Sequence, residues 1–91
     1  MRYTHDPKKR AANLKNHGYD FNDASQVIES DHAVTFEDRR FDYDEQRFIT
    51  LGLLGKKVVV IATTETEDEI RVISMREAAQ HEEEIYYRNI G

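Results

Sequence analysis

One stretch constrains this chain more than any other: Lys57-Val-Val-Val-Ile-Ala-Thr-Thr64. A β-branched run of this kind fits an extended strand, and with no polar side to give to water it belongs at the centre of a sheet, covered on both faces. In 91 residues only one core of that kind fits, so a single domain over 1–91 is expected. The flanks supply its neighbours. Gln46 to Leu54 carries Phe48, Ile49, Leu51 and Leu53, and Gly55-Lys56 is a two-residue turn into the central strand. Glu65 to Glu69 is a charged hairpin loop, and Ile70 to Ser74 alternates Ile/Val with Arg/Ser. Ala33 to Phe36 adds a short strand, giving an antiparallel meander of about four strands. A further short strand at Met1 to His5 would precede it.

Outside the meander the apolar period is helical. Asp6-Pro7 starts a helix, a side-chain cap followed by Pro at the first position; Ala11, Ala12 and Leu14 form its stripe, and Gly18 ends it. Phe21, Ala24, Val27 and Ile28 repeat at helical spacing behind a cap at Asn22 or Asp23. At the other end Ser74 with Glu77 reads as a capping box, and Ala78, His81, Glu82 and Ile85 share one helical face with Tyr86 beside it. The expected class is α+β, with N-terminal helices and a C-terminal helix packed on a twisted antiparallel sheet.

Several chemistries are excluded at once. Without Cys there is no disulfide scaffold, thiolate zinc site or thiol nucleophile. His81, beside Glu82 and Glu84, is the one histidine with neighbours at ligand spacing, so no metal or cofactor is expected. No apolar run approaches a membrane span, and the polar opening Met1 to Asp6 does not read as a signal peptide; a cytoplasmic protein is the expectation. The net charge of −5 argues against a general nucleic-acid binder. It is unevenly spread: residues 1–17 hold five Lys/Arg against one Asp, and residues 20–45 hold nine acidic groups against Arg39 and Arg40.

Arginines carry the site chemistry that the residues themselves suggest. Arg47 starts a strand, Arg71 sits within one, and Arg76 stands at a strand-to-helix junction. Guanidinium groups converging on one sheet face make a cationic floor for phosphate; paired with nearby carboxylates they are ordinary surface ion pairs. Which of these holds depends on strand register. Glu45 and Arg47, two apart, share a strand face, as an acid/base beside a phosphate binder or as an ion pair. Lys8 and Lys9 lie in a first helical turn, where positive charge opposes the macrodipole; RNA or an acidic partner would repay that mild cost, and so would a solvated face. Lys15 extends the same basic stretch.

The spacing of these residues resembles the BrnT family of bacterial type II toxins. Tyr3-x-x-Asp6-Pro7 and Asn13-Leu14-x-x-His17-Gly18 are similar to that family's opening, and Phe21-x-x-Ala24 to its next helix. Glu45-x-Arg47 with Leu51-Gly52, and Arg71-Val72-Ile73-Ser74-x-Arg76-x-Ala78 followed by Glu82 and Tyr86, complete the likeness. The resemblance implies a RelE-like fold and a metal-independent ribonuclease that inhibits translation. It also implies a BrnA-like ribbon-helix-helix antitoxin, with operator DNA bound only through that partner. On this pattern Arg76 and Arg47, with Arg71, clamp the RNA phosphate, and Glu45, His17 or Tyr86 supplies proton transfer. Arg71, Lys15, Lys9 and Lys8 are the candidate RNA contacts.

The chain also departs from the pattern. His5 stands where the family usually has Trp, Asn16 where it usually has Lys, Thr66 where Arg is common, and Glu77 to Glu84 is acidic where relatives are often basic. Two alternatives therefore stand beside the ribonuclease. One is a catalytically weakened or inactive BrnT-like module that binds an antitoxin as a co-repressor. The other is an adaptor domain whose acidic segment contacts a basic protein.

Overall fold

The computed structural model describes residues 2–39 and 46–90. Five strands and three helices follow in the order β1 (Arg2–His5), α1 (Pro7–His17), α2 (Ala24–Ile28), β2 (Val34–Glu37), β3 (Arg47–Leu54), β4 (Lys57–Glu65), β5 (Glu69–Glu77) and α3 (Gln80–Ile90). A 3-10 turn, Phe21–Asp23, leads into α2. The sheet order is β1-β5-β4-β3-β2, so the β-branched strand is central.

The α+β class holds, but the sheet has five strands and is mixed rather than four and antiparallel. β1 runs parallel to β5, with Tyr3 opposite Ile70 and His5 opposite Val72. That pairing joins the two ends of the chain across some 67 residues, and nothing local in either segment announces it. The remaining pairs are antiparallel.

Local signals set most boundaries. Asp6 accepts the Lys8 N–H at 2.8 Å, and Gly18, at φ +76°, donates to the Leu14 carbonyl, closing α1 at both ends. Two capping expectations are corrected. Asp20, not Asn22 or Asp23, caps the 3-10 turn by accepting the Asn22 N–H. Ser74 caps nothing: β5 continues through it to Glu77, and α3 begins only at Gln80, where Glu82 accepts the Ala79 N–H at 2.8 Å. The strand runs on because Arg76 and Glu77 pair with Val60 and Val59. The stripe expected on α1 also differs, since Ala11, Ala12 and Leu14 are exposed and Asn13 is the residue that faces inward.

Helices cover both faces of β4. On one face Phe21, Ala24 and Val27 pack with Val59, Ile61, Val72 and Met75; on the other Tyr86 and Ala78 pack with Leu51, Val58 and Val60. Odd and even positions of β4 thus feed two separate cores, which explains its unbroken apolar run. Gly52 admits α2 to the first core: a Cβ there would lie 2.6 Å from Val27 Cγ1.

α1 has no wide apolar stripe because Asn13 anchors it. The Asn13 amide donates to the Met75 and Tyr19 carbonyls, both at 2.9 Å, and its Oδ1 accepts the Met75 N–H at 3.1 Å. β1 ends opposite Val72, so beyond that point β5 lacks a strand on this side. The Asn13 side chain takes the place of the missing peptide group.

Candidate functional site

Register places the arginines. Arg47 lies opposite Thr64, and Thr64 opposite Arg71, so the two arginines flank Thr64 in one row across the sheet. Residues directly opposite share a face. Arg47 therefore lies with Ile49 and Leu51 on the face covered by α3. Neighbouring strands are about 4.8 Å apart, so the Cα atoms of Arg47 and Arg71 are separated by roughly 10 Å.

Arg76 lies in a second row on that face, opposite Val60, which in turn faces Leu51. Arg71 and Arg76 are five apart, and strict alternation would send them to opposite faces. A bulge prevents this. Ala62 faces Ser74 and Thr63 faces Val72, so Ile73 is the extra residue. The same shift lets Val72 and Met75, three apart, enter one core. A bulge re-aims side chains without ending the sheet, and here it brings Arg71 onto the face of Arg47 and Arg76.

Arg76 is held by the helix that follows it. Its two terminal nitrogens donate to the two Glu82 oxygens at 2.7 and 2.8 Å, an end-on fork. Hydrogen bonding from Arg76, reinforced by the Ala79 N–H, keeps the Glu82 carboxyl at about 2, against the opposing effect of burial. Beside this pair is an apolar groove of about 330 Å³ lined by Phe36, Ile49, Leu51, Glu82 and Ile85.

The other expected site residues are not gathered here. His17 and Lys15 are exposed in the last turn of α1, and Lys8 and Lys9 in its first. That helix packs on β5 through Asn13 and Met75, in the layer opposite α3. Tyr86 is on the arginine side but inside the core, 1% exposed, and burial raises its phenol pKa. Glu45 lies outside the described residues. Among the described residues no group of His, Cys, Asp or Glu is arranged to hold a metal ion, and His81 is exposed on α3. No described helix is long and apolar enough to cross a membrane.

Two residues at these contacts had no assigned role in the sequence. Asn13 stood only as part of a signature, although a polar residue in a helix otherwise lacking a broad apolar face is the available sign of a buried anchor. Glu82 stood in a helical face, and its spacing from Ala79 is that of a residue reaching back to the N-cap N–H.

No curated protein matches the chain. The family model for the ribonuclease toxin BrnT of type II toxin–antitoxin systems matches residues 5–82, a span that includes Arg47, Arg71, Arg76 and Glu82. The chain belongs to the BrnT family of ribonuclease toxins.

Proposed function

We propose that the chain is a metal-independent endoribonuclease that cleaves RNA to inhibit translation in the cytoplasm and is neutralised by a BrnA-like ribbon-helix-helix antitoxin. Operator DNA is engaged only through that partner. The observation that carries the reading is the bulge at Ile73, which puts Arg47, Arg71 and Arg76 on one sheet face. Their forked donors fit the oxygens of successive phosphates, and the pairing of Arg76 with Glu82 fixes one of them in place.

The chemistry needs no metal in principle. The RNA 2′-oxygen attacks the adjacent phosphorus as its proton passes to a base, and the 5′-oxygen leaves as it takes a proton from an acid. The products are a 2′,3′-cyclic phosphate and a 5′-hydroxyl. Arg47 and Arg71, flanking Thr64, hold the non-bridging oxygens, whose charge rises in the transition state, and Arg76 fixes the neighbouring phosphate. Glu45 is the first candidate for proton transfer because it stands two residues before Arg47. His17, exposed on α1 in the opposite layer, and Tyr86, 1% exposed inside the core, are placed less well for that role. Lys8, Lys9 and Lys15 supply a diffuse attraction for RNA, away from the scissile phosphate.

The acidic first turn of α3 favours a second reading, an antitoxin-binding module that no longer cleaves. One experiment separates the two. Antitoxin-free protein is added to RNA, alone and in a translating extract, in excess EDTA for the free RNA. Cleavage leaving 2′,3′-cyclic ends, and lost in Arg71→Ala, supports the nuclease. Antitoxin binding without cleavage in either setting supports the module.

A further inference from the structure

We propose that Glu82 is a positioning residue for Arg76, fixing the plane and direction of its guanidinium for RNA phosphate. The inference rests on the reading of Arg76 as a phosphate-holding group. An arginine on a strand end carries a long, rotamer-rich side chain whose ordering opposes binding. Glu82 removes that freedom beforehand. Its two oxygens meet the two terminal nitrogens, which sets the orientation of the planar group as well as its position.

Glu82 is itself fixed. Its Oε1 also accepts the Ala79 N–H at the start of α3, and its side chain is only 18% exposed. The first turn of a helix favours a carboxylate there. Arg76, at 43%, is the more exposed partner, so the more buried member of the pair orients the other.

A merely structural ion pair would contribute to stability and nothing else. A positioning carboxylate also sets the rate at saturating RNA, while its negative charge, as any carboxylate's would there, opposes RNA binding. Glu82→Gln keeps the size, removes the charge and breaks the fork. The expected result is a split: the cleavage rate at saturating RNA falls about 10–100-fold, while the RNA concentration for half-maximal rate is unchanged or lower.

The test measures single-turnover cleavage in a translating extract by wild type, Glu82→Gln, Glu82→Asp, Arg76→Ala, Arg76→Lys and the Glu82→Gln/Arg76→Lys double variant, with thermal unfolding of each. In the Arg76→Lys background Glu82→Gln should cost less than about twofold, since a lysine offers no plane to orient. The inference is overturned if folded Glu82→Gln cleaves within about twofold of wild type, or if its loss is the same in both backgrounds. If Arg76→Ala cleaves like wild type, the underlying reading of Arg76 falls instead. Glu82→Asp, which keeps the charge, should recover part of the rate.

Discussion

The two faces of the sheet use polar groups to opposite ends. On the α1 face they close the structure on itself. Asn13 satisfies both backbone groups of Met75, and the Arg10 guanidinium grips Asp20 through two bonds of 2.7 and 2.8 Å, which holds that carboxyl well below its usual range. On the α3 face, Arg47 and Arg71 are aligned by register and Arg76 is presented by a helix turn. The first arrangement spends polarity on fixing elements; the second gathers three guanidinium groups on one face, Arg76 among them paired with Glu82. The faces meet at neighbouring residues of β5, because Met75 turns to one and Arg76 to the other.

The largest break in this contrast should come from the arginine face. Arg47→Ala and Arg71→Ala should each lower RNA cleavage by about 10²–10³-fold, the usual cost of removing a donor to developing charge. For Arg71→Ala the thermal midpoint should move by no more than a few degrees, because Arg71 is exposed and its loss opens no cavity. Equal and large losses of stability would show that these side chains hold the sheet together.

Asn13→Ala should do the reverse. It strands the Met75 N–H and carbonyl and the Tyr19 carbonyl, costing about 2–3 kcal/mol. For a domain of this size that is a fall of roughly 10–20 °C in Tm. Asn13→Asp should not rescue it, since a carboxylate would face the Met75 carbonyl without a donor. Gly52→Ala follows at about 1–3 kcal/mol, from the 2.6 Å approach of Val27 Cγ1. Adding Val27→Ala should make the pair less unstable than the two losses summed, with calorimetry as the check.

Much of this was legible in the sequence because it depends on local chemistry. The β4 run, the Asp6-Pro7 start and the Gly18 stop each act within a few residues, and each appears where expected. The arginines were legible as types but not as a group. Whether Arg71 joins Arg76 depends on one extra residue in β5, and Ile73 looks like any other strand residue. The β1–β5 pairing was hidden for a related reason: four polar-alternating residues gain a partner only from the far end of the chain. Ser74 misled because a correct capping spacing also occurs inside a strand, where pairing with β4 outweighs a cap worth about 1 kcal/mol.

The pH dependence of the Arg76–Glu82 pair is a smaller effect. With its folded pKa near 2 and an ordinary value of 4.5, Glu82 binds fewer protons folded than unfolded between those values. Its contribution is therefore complete above about pH 4.5 and lost as pH falls towards 2. Glu82→Gln should flatten the Tm profile in that window and leave the profile above pH 5 parallel to that of wild type.

The smallest change should come from Lys8, Lys9 and Lys15 replaced together by Ala. All three are exposed on α1, across the sheet from the arginines. Their effect on stability should nearly cancel. Lys8 and Lys9 oppose the helix macrodipole in the first turn while Lys15 complements it in the last, each by a few tenths of a kcal/mol. Cleavage should fall by less than about threefold at physiological salt, where charges beyond a Debye length of about 8 Å are screened. Lowering the salt should widen the gap from wild type through RNA affinity, with the rate at saturation unchanged. A tenfold loss at saturating RNA would move the reaction to the α1 face and make the arginine row the structural side of the sheet.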